Sequence, residues 1–143
     1  MAISSKFSVA AHLLSLIALN PNERLSSETM AGSVNTNPVV VRRIIGMLVK
    51  AGLVRTVAGV AGATLARDLD EITLLDVYRA VRSDEELFSM HENPNPDCQV
   101  GRNIQGALDR VFARAQTAME RELAGITMRQ VARDIAERDE NSL

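Results

Sequence analysis

Residues 35–54 read NTNPVVVRRIIGMLVKAGLV, an apolar run broken by two adjacent arginines. A helix that served only a core would have no use for them. Arginine carries a planar fork of donors that fits the O6 and N7 edge of guanine and also fits phosphate oxygens, so the pair points to nucleic acid. Asn37 is a good N-cap, Pro38 suits the first helical position and Gly52 suits a helix end, which predicts a helix over 38–51. At about 100° per residue, Val39, Arg42, Arg43, Gly46 and Lys50 share one sector. Val40, Ile44, Met47, Leu48 and Ala51 occupy much of the opposite side. A solvated charged face usually mixes signs and gains i, i+4 pairs, yet this helix has no acidic residue.

Other residues with chemical potential are sparse. The one cysteine, Cys98, excludes an intrachain disulfide framework and fits a reducing compartment. If Asn95 caps the following helix with Pro96 at its first position, Cys98 falls at the third, where the helix dipole favours a thiolate and Asp97 opposes it. A packing cysteine is the alternative. His91, in a polar connection, is either solvated or a working neighbour of Cys98; His12, in an apolar stripe, is expected to be packed. There is no Gly-rich phosphate loop, no metal-ligand spacing and no nucleophile–base motif. Neither an enzyme nor a metal or other cofactor is expected.

The elements that must position the arginines follow from spacing and punctuation. Helix one is predicted from Ser5 to Leu19, with Phe7, Ala11, Leu14 and Ala18 as its apolar stripe. Its stretch Val9 to Leu19 is read as a core helix, because NPNER replaces a signal-peptide cleavage site and the run is too short to span a bilayer. A cytoplasmic protein without membrane contact is expected. Ser26 or Ser27 caps a short helix over 27–34, with Glu28 in its first turn. After the arginine helix, LVRTV and ATLA bracket AGVAG, where Gly59 and Gly62 allow a tight hairpin turn.

Thr73 caps a helix with Leu74, Leu75, Val77, Tyr78 and Val81, and residues 82–99 form a polar connection long enough to suggest function. A long helix then runs from Asn95–Pro96 to about Leu123. Its apolar positions Ile104, Leu108, Val111, Ala115 and Ala118 step by 4, 3, 4 and 3, the spacing of a dimer seam. Gly125 ends it, Thr127 caps a last helix to about Ile135, and the tail from Glu137 reads as frayed.

The charge is divided along the chain. The net charge over 143 residues is −2, but residues 1–66 hold six basic residues against two acidic ones, and residues 67–143 hold ten against sixteen. That split suggests a basic working face and an acidic half for self-association or sensing. Hydrophobic residues make up 46% and aromatics only 3%, so the core is aliphatic.

A short capped helix, a turn, a basic helix and a Gly-containing hairpin form the order of a winged helix-turn-helix, whose second helix enters the major groove. NPVVVRRIIGMLVKAGLV, AGVAGATLARDLDEITLLDVYRAV, NPNPDCQVGRNIQGALDRVF and MERELAGIT together resemble the Rrf-two family of bacterial winged-helix transcription regulators, which includes IscR-like proteins. The resemblance spans roughly residues 1–130. It implies a mainly α fold with a two-stranded wing and a homodimeric DNA-binding regulator of an operator duplex, answering to a small-molecule or redox effector. Residues 1–81 would bind DNA, 82–99 would connect and sense, 100–136 would hold the dimerisation and terminal helices, and 137–143 would be the frayed tail. The DNA surface would comprise Glu28, Thr36, Asn37, Val39, Arg42, Arg43, Lys50, Arg55 and Gly59. The alternative is a winged-helix module that binds protein.

Two segments depart from the family. Its wing commonly carries an arginine before the first glycine and a tyrosine after the last; here Ala58 precedes Gly59, and Gly62-Ala63 leads to Thr64. Its iron–sulfur members hold a two-iron cluster on three cysteines, of which only Cys98 has a counterpart.

Overall fold

The computed structural model describes residues 3–82 and 88–142, so positions 83–87 of the expected connection lie outside the described residues, as do both chain ends. Its order is α1 (Ile3–Leu19), α2 (Ser27–Val34), α3 (Pro38–Lys50), β1 (Val54–Val57), β2 (Val60–Leu65), a 3-10 turn (Leu69–Glu71), α4 (Leu74–Val81), α5 (Ile104–Ala124) and α6 (Met128–Asn141). This is the mainly α winged-helix architecture that the sequence implies.

α1 is the hub. It touches α2, α3, α4, α6 and β2, and buries Ala10, Leu13, Leu14 and Ile17. A helix surrounded on several sides buries a broad face, which is why the narrow stripe of Phe7, Ala11, Leu14 and Ala18 is only partly right. Leu14 is in the core, while the other three are half-buried. Ser15 is buried with its Oγ donating to the Ala11 carbonyl at 2.7 Å, so it leaves no unpaired group in the core. His12 is exposed, not packed; its Nε2 lies 2.8 Å from Ser33 Oγ on α2.

The caps fall where local chemistry puts them. Ser26 Oγ accepts from Thr29 N at 3.1 Å to start α2, and Asn35 ends it in the left-handed region at φ 65. Asn37 Oδ1 accepts from Val40 N at 3.0 Å, with Pro38 opening α3. β1 and β2 pair antiparallel from Val54↔Leu65 to Val57↔Val60 around Ala58-Gly59. Gly59 supplies the turn's φ of 76. Gly62 is not part of the turn. It lies in a bulge of β2 with φ 92, where a Cβ would stand 3.0 Å from Arg24 Cβ.

α4 and α6 begin side by side. Thr73 and Thr127 each close a capping box, with Asp76 and Gln130, and the two threonines form a β-bridge. Leu74 N donates to Ile126 O at 2.8 Å, and Met128 N to Ile72 O at 2.7 Å. Ile72 and Met128, both 0% exposed, fill the space beneath. Arg129 adds a rim contact, its Nε 2.7 Å from Asp70 Oδ1. The terminal helix therefore packs on α1 and the 3-10 turn, and the chain after Gly125 returns to the body that holds α3. It also continues to Asn141, with Arg138 and Asp134 paired at 2.9 Å, where the sequence reading has a frayed tail from Glu137.

The long helix starts at Ile104, not at Pro96. Residues 96–103 form successive turns, with Cys98 N donating to Asn95 O at 3.2 Å and Arg102 N to Cys98 O at 3.0 Å. Gly101 is pressed against Asn95, and a Cβ there would collide with the Asn95 carbonyl. The folded-back chain occupies the first two turns that a helix from Pro96 would have used.

Met128→Ala should cost about 2–5 kcal/mol of unfolding free energy, the usual range for truncating a fully buried methionine. Urea unfolding followed by circular dichroism measures it. A loss well below that range would mean that α6 is not part of the cooperative core.

Candidate nucleic-acid interface

The surface of α3 is decided by what its other side buries. Val41, Ile44, Ile45 and Leu48 are in the core, while Arg42, Arg43, Gly46 and Lys50 are exposed and Val39 is 56% exposed. The cationic sector read from the helical wheel is thus all outside. The packed side is turned toward Arg42 relative to the wheel: Val40 and Met47 are only half-buried and Ala51 is exposed. α2 and β1 both pack on α3, which draws Ile45 inward at the expense of Val40 and Ala51.

Arg42 then lies at the rim of a cleft of about 390 Å³ between α3 and the wing, lined by Gly46, Val49, Thr56, Val60 and Gly62 among others. Its Nη1 is 3.7 Å from Glu28 Oε1 on α2. Both side chains are exposed, so the pair adds little stability, but it links α2 to the guanidinium. This pairing is not visible in the sequence, because Glu28 and Arg42 are fourteen positions apart on different helices.

The remaining expected residues divide by position. Asn37 is committed through its side-chain oxygen to the α3 cap, and Thr36 is half-buried with its N–H donating to Ala31 O at 3.0 Å. Lys50 is exposed at the far end of α3. Arg55 is exposed on β1 opposite Thr64, and Gly59 shapes the wing tip. From Thr56 to Ala66 the wing carries no charged residue, and Val57 and Val60 are 52% and 46% exposed. The wing tip is therefore apolar, and Arg55 at its base is the hairpin's cation.

None of the residues of α5 is buried. One side of it docks on the same chain: Phe112 meets Phe88 at 5.6 Å between ring centroids, Gln116 Nε2 donates to Tyr78 Oη at 3.2 Å, and Glu120 faces Arg79 at 3.8 Å. The seam lies on the adjacent side. Ile104, Leu108 and Ala115 are half-buried there, Ala118 is exposed and Val111 is 55% exposed.

Cys98 is exposed. The backbone N–H of Gly101, and after it that of Val100, hold its thiol below the ordinary cysteine range. The thiolate is favoured by turn amides and not by the end of a helix, since α5 begins six residues later. His91 is exposed, and its carbonyl accepts from Gln105 Nε2 at 3.4 Å. This contact ties the segment to α5 without joining the His91 side chain to Cys98.

The model of the Rrf2 family, described as an iron-dependent transcriptional regulator, matches residues 3–134. The chain is similar to the "Putative HTH-type transcriptional regulator YwnA" of Bacillus subtilis (strain 168), with 55% identity over 129 residues that cover 90% of this chain and 96% of YwnA. It is also similar to a solved "putative DNA binding protein" at 48% identity and TM-score 0.73, covering 88% of this chain and 97% of that one. The fold recurs in T. potens IscR at 21% identity and TM-score 0.71, covering 96% of this chain and 90% of that one.

The family description raises iron, and the donor set here does not fit a cluster. Iron–sulfur ligation draws on several thiolates, and this sequence has one cysteine. Among the described residues no group of three or more His, Cys, Asp or Glu is placed to hold a metal. Also among the described residues, no helix is long and apolar enough to cross a membrane.

Alkylation of Cys98 by iodoacetamide should reach half its maximal rate at a lower pH than that of an unstructured peptide thiol, because the turn amides favour the thiolate that attacks. A profile superimposable on that of an unstructured peptide thiol would show that Gly101 and Val100 do not act on the sulfur.

Proposed function

Because the chain belongs to the Rrf2 family of DNA-binding transcriptional regulators, we propose that it acts as a cytoplasmic homodimer whose two α3 helices read successive major grooves of an operator. The observation that carries this reading is the exposed face of α3, where Arg42, Arg43 and Lys50 surround Gly46 with no acidic residue in the helix. Arg42 and Arg43 lie one turn from the leading end, within reach of base edges or flanking phosphates, and Lys50 meets a phosphate further along. Arg55 supplies a second backbone contact from the wing base. Glu28 orients Arg42, and Thr36 and Asn37 set the entry of α3 without spending their own side chains on bases.

The dimer forms through the seam of Ile104, Leu108, Val111, Ala115 and Ala118. Support comes from its 4-3-4-3 spacing and from Val111, more than half exposed in the middle of an apolar line. Two-fold pairing sets the half-sites one helical turn, about 34–36 Å, or a multiple apart. The connection expected over 82–99 senses, through its described residues from Phe88 onward. Its Cys98 is the redox-active thiol, and its contacts with Phe112 and Gln105 give it a mechanical hold on the dimer helix. A small-molecule effector would act through the same segment.

Arg42→Ala/Arg43→Ala should abolish specific operator binding with fold and dimer intact, each lost specific contact being worth about 1–3 kcal/mol. Lys50→Ala should weaken all sequences alike and flatten the salt slope by about one unit. Fluorescence anisotropy on operator and scrambled duplexes reads both, and an unchanged operator affinity in the double variant would end this assignment of α3.

Leu108→Glu places a charge in the middle of the seam, where desolvation without a partner is strongly unfavourable. Light scattering at micromolar concentration should give the monomer mass. A folded, fully dimeric Leu108→Glu protein would move the interface elsewhere.

A further inference from the structure

Several polar groups at the leading end of α3 are already committed to the helix cap. Pro38 has no backbone N–H. Asn37 Oδ1 is bound to Val40 N at 3.0 Å, and Val41 N points back to Asn37 O at 3.4 Å. Val39, a stiff β-branched residue, projects from this end beside the exposed Asn37 and is left 56% exposed although core positions begin two residues later. Arg42 and Arg43 follow it at i+3 and i+4, on the same face.

Such a side chain discriminates among bases by what it cannot do. The major-groove edges of guanine, cytosine and adenine present acceptors and donors, and valine laid over them displaces water without replacing its hydrogen bonds. Thymine alone offers an apolar group there, the C5 methyl. We propose that Val39 is a specificity-determining residue that packs on a thymine methyl at the operator position under the start of α3. This rests on the reading of α3 as the recognition helix. The arginines then act on the positions that follow, so a half-site combines one apolar contact with charged ones. Val39 is held in place by the Asn37–Pro38 cap, and its Cβ branch leaves few rotamers to freeze on binding.

The test uses the operator selected from random duplex DNA by the full-length protein. Single thymines in each half-site are replaced by deoxyuridine, which removes the methyl and leaves the hydrogen-bonding edge unchanged. Affinities of the wild-type protein and of Val39→Ala are then measured at one fixed salt concentration. Deoxyuridine at the contacted position of one half-site should weaken wild-type binding about fourfold, equivalent to about 0.8 kcal/mol for one buried methyl, and at that position in both half-sites about fifteenfold. Val39→Ala, an exposed substitution that spares the core, should bind the thymine and deoxyuridine operators equally. Operator binding that is insensitive to deoxyuridine at every position, or equally sensitive in Val39→Ala, overturns the Val39 assignment and leaves the recognition helix standing. Failure to select any sequence overturns both.

Discussion

Four side chains of α3, namely Val41, Ile44, Ile45 and Leu48, are buried against α1, α2, α4 and β1, and their burial fixes the rotation of the helix about its own axis. Arg42 and Arg43 are interleaved between them in sequence, so no rotation could hide the arginines without exposing the core set. With about 1.5–3 kcal/mol at stake for each buried aliphatic side chain, the packing dictates which side faces out. The cationic surface of α3 is thus a by-product of the core, and the Asn37 cap adds only the point at which the helix begins.

Several carboxylates of the acidic half pair with arginines of the same half: Asp68 and Asp70 flank Arg129, Glu120 faces Arg79 and Arg82, and Asp134 meets Arg138. These pairs are exposed, so their role is to set the approach of α5 and α6 to the body more than to stabilise it. The apolar seal between Ile72 and Met128 supplies the cohesion beneath. Among the described residues, α5 docks on its own chain through Phe112, Gln116 and Glu120, which meet Phe88, Tyr78 and Arg79.

The two departures from the family pattern converge on a simplified regulator. Without its arginine the wing tip presents Val57 and Val60, and the hairpin keeps its shape through Gly59 and the Gly62 bulge. A lone cysteine replaces the cluster ligands, and its surroundings are amides of a tight turn and not further thiolates.

Caps, turns and the cationic sector of α3 were legible in the sequence because each depends on contacts within about four residues. Ser26, Asn37, Thr73, Gly125 and Thr127 all mark helix ends in the structure. Where α5 begins was not legible, since the Asn95-Pro96 signal is locally sound and is overridden by Gly101 folding onto the Asn95 carbonyl. Nor was the exposure of His12, which depends on the groove that α6 leaves beside α1 and α2. The Glu28–Arg42 pair and the turn of the buried face of α3 toward Arg42 likewise needed neighbours distant in the chain. Local hydrogen bonding and periodicity set where helices can start and which residues share a face. Which of those faces is buried, and how far each helix extends, follows from the elements that pack against it, and only the tertiary structure brings those together.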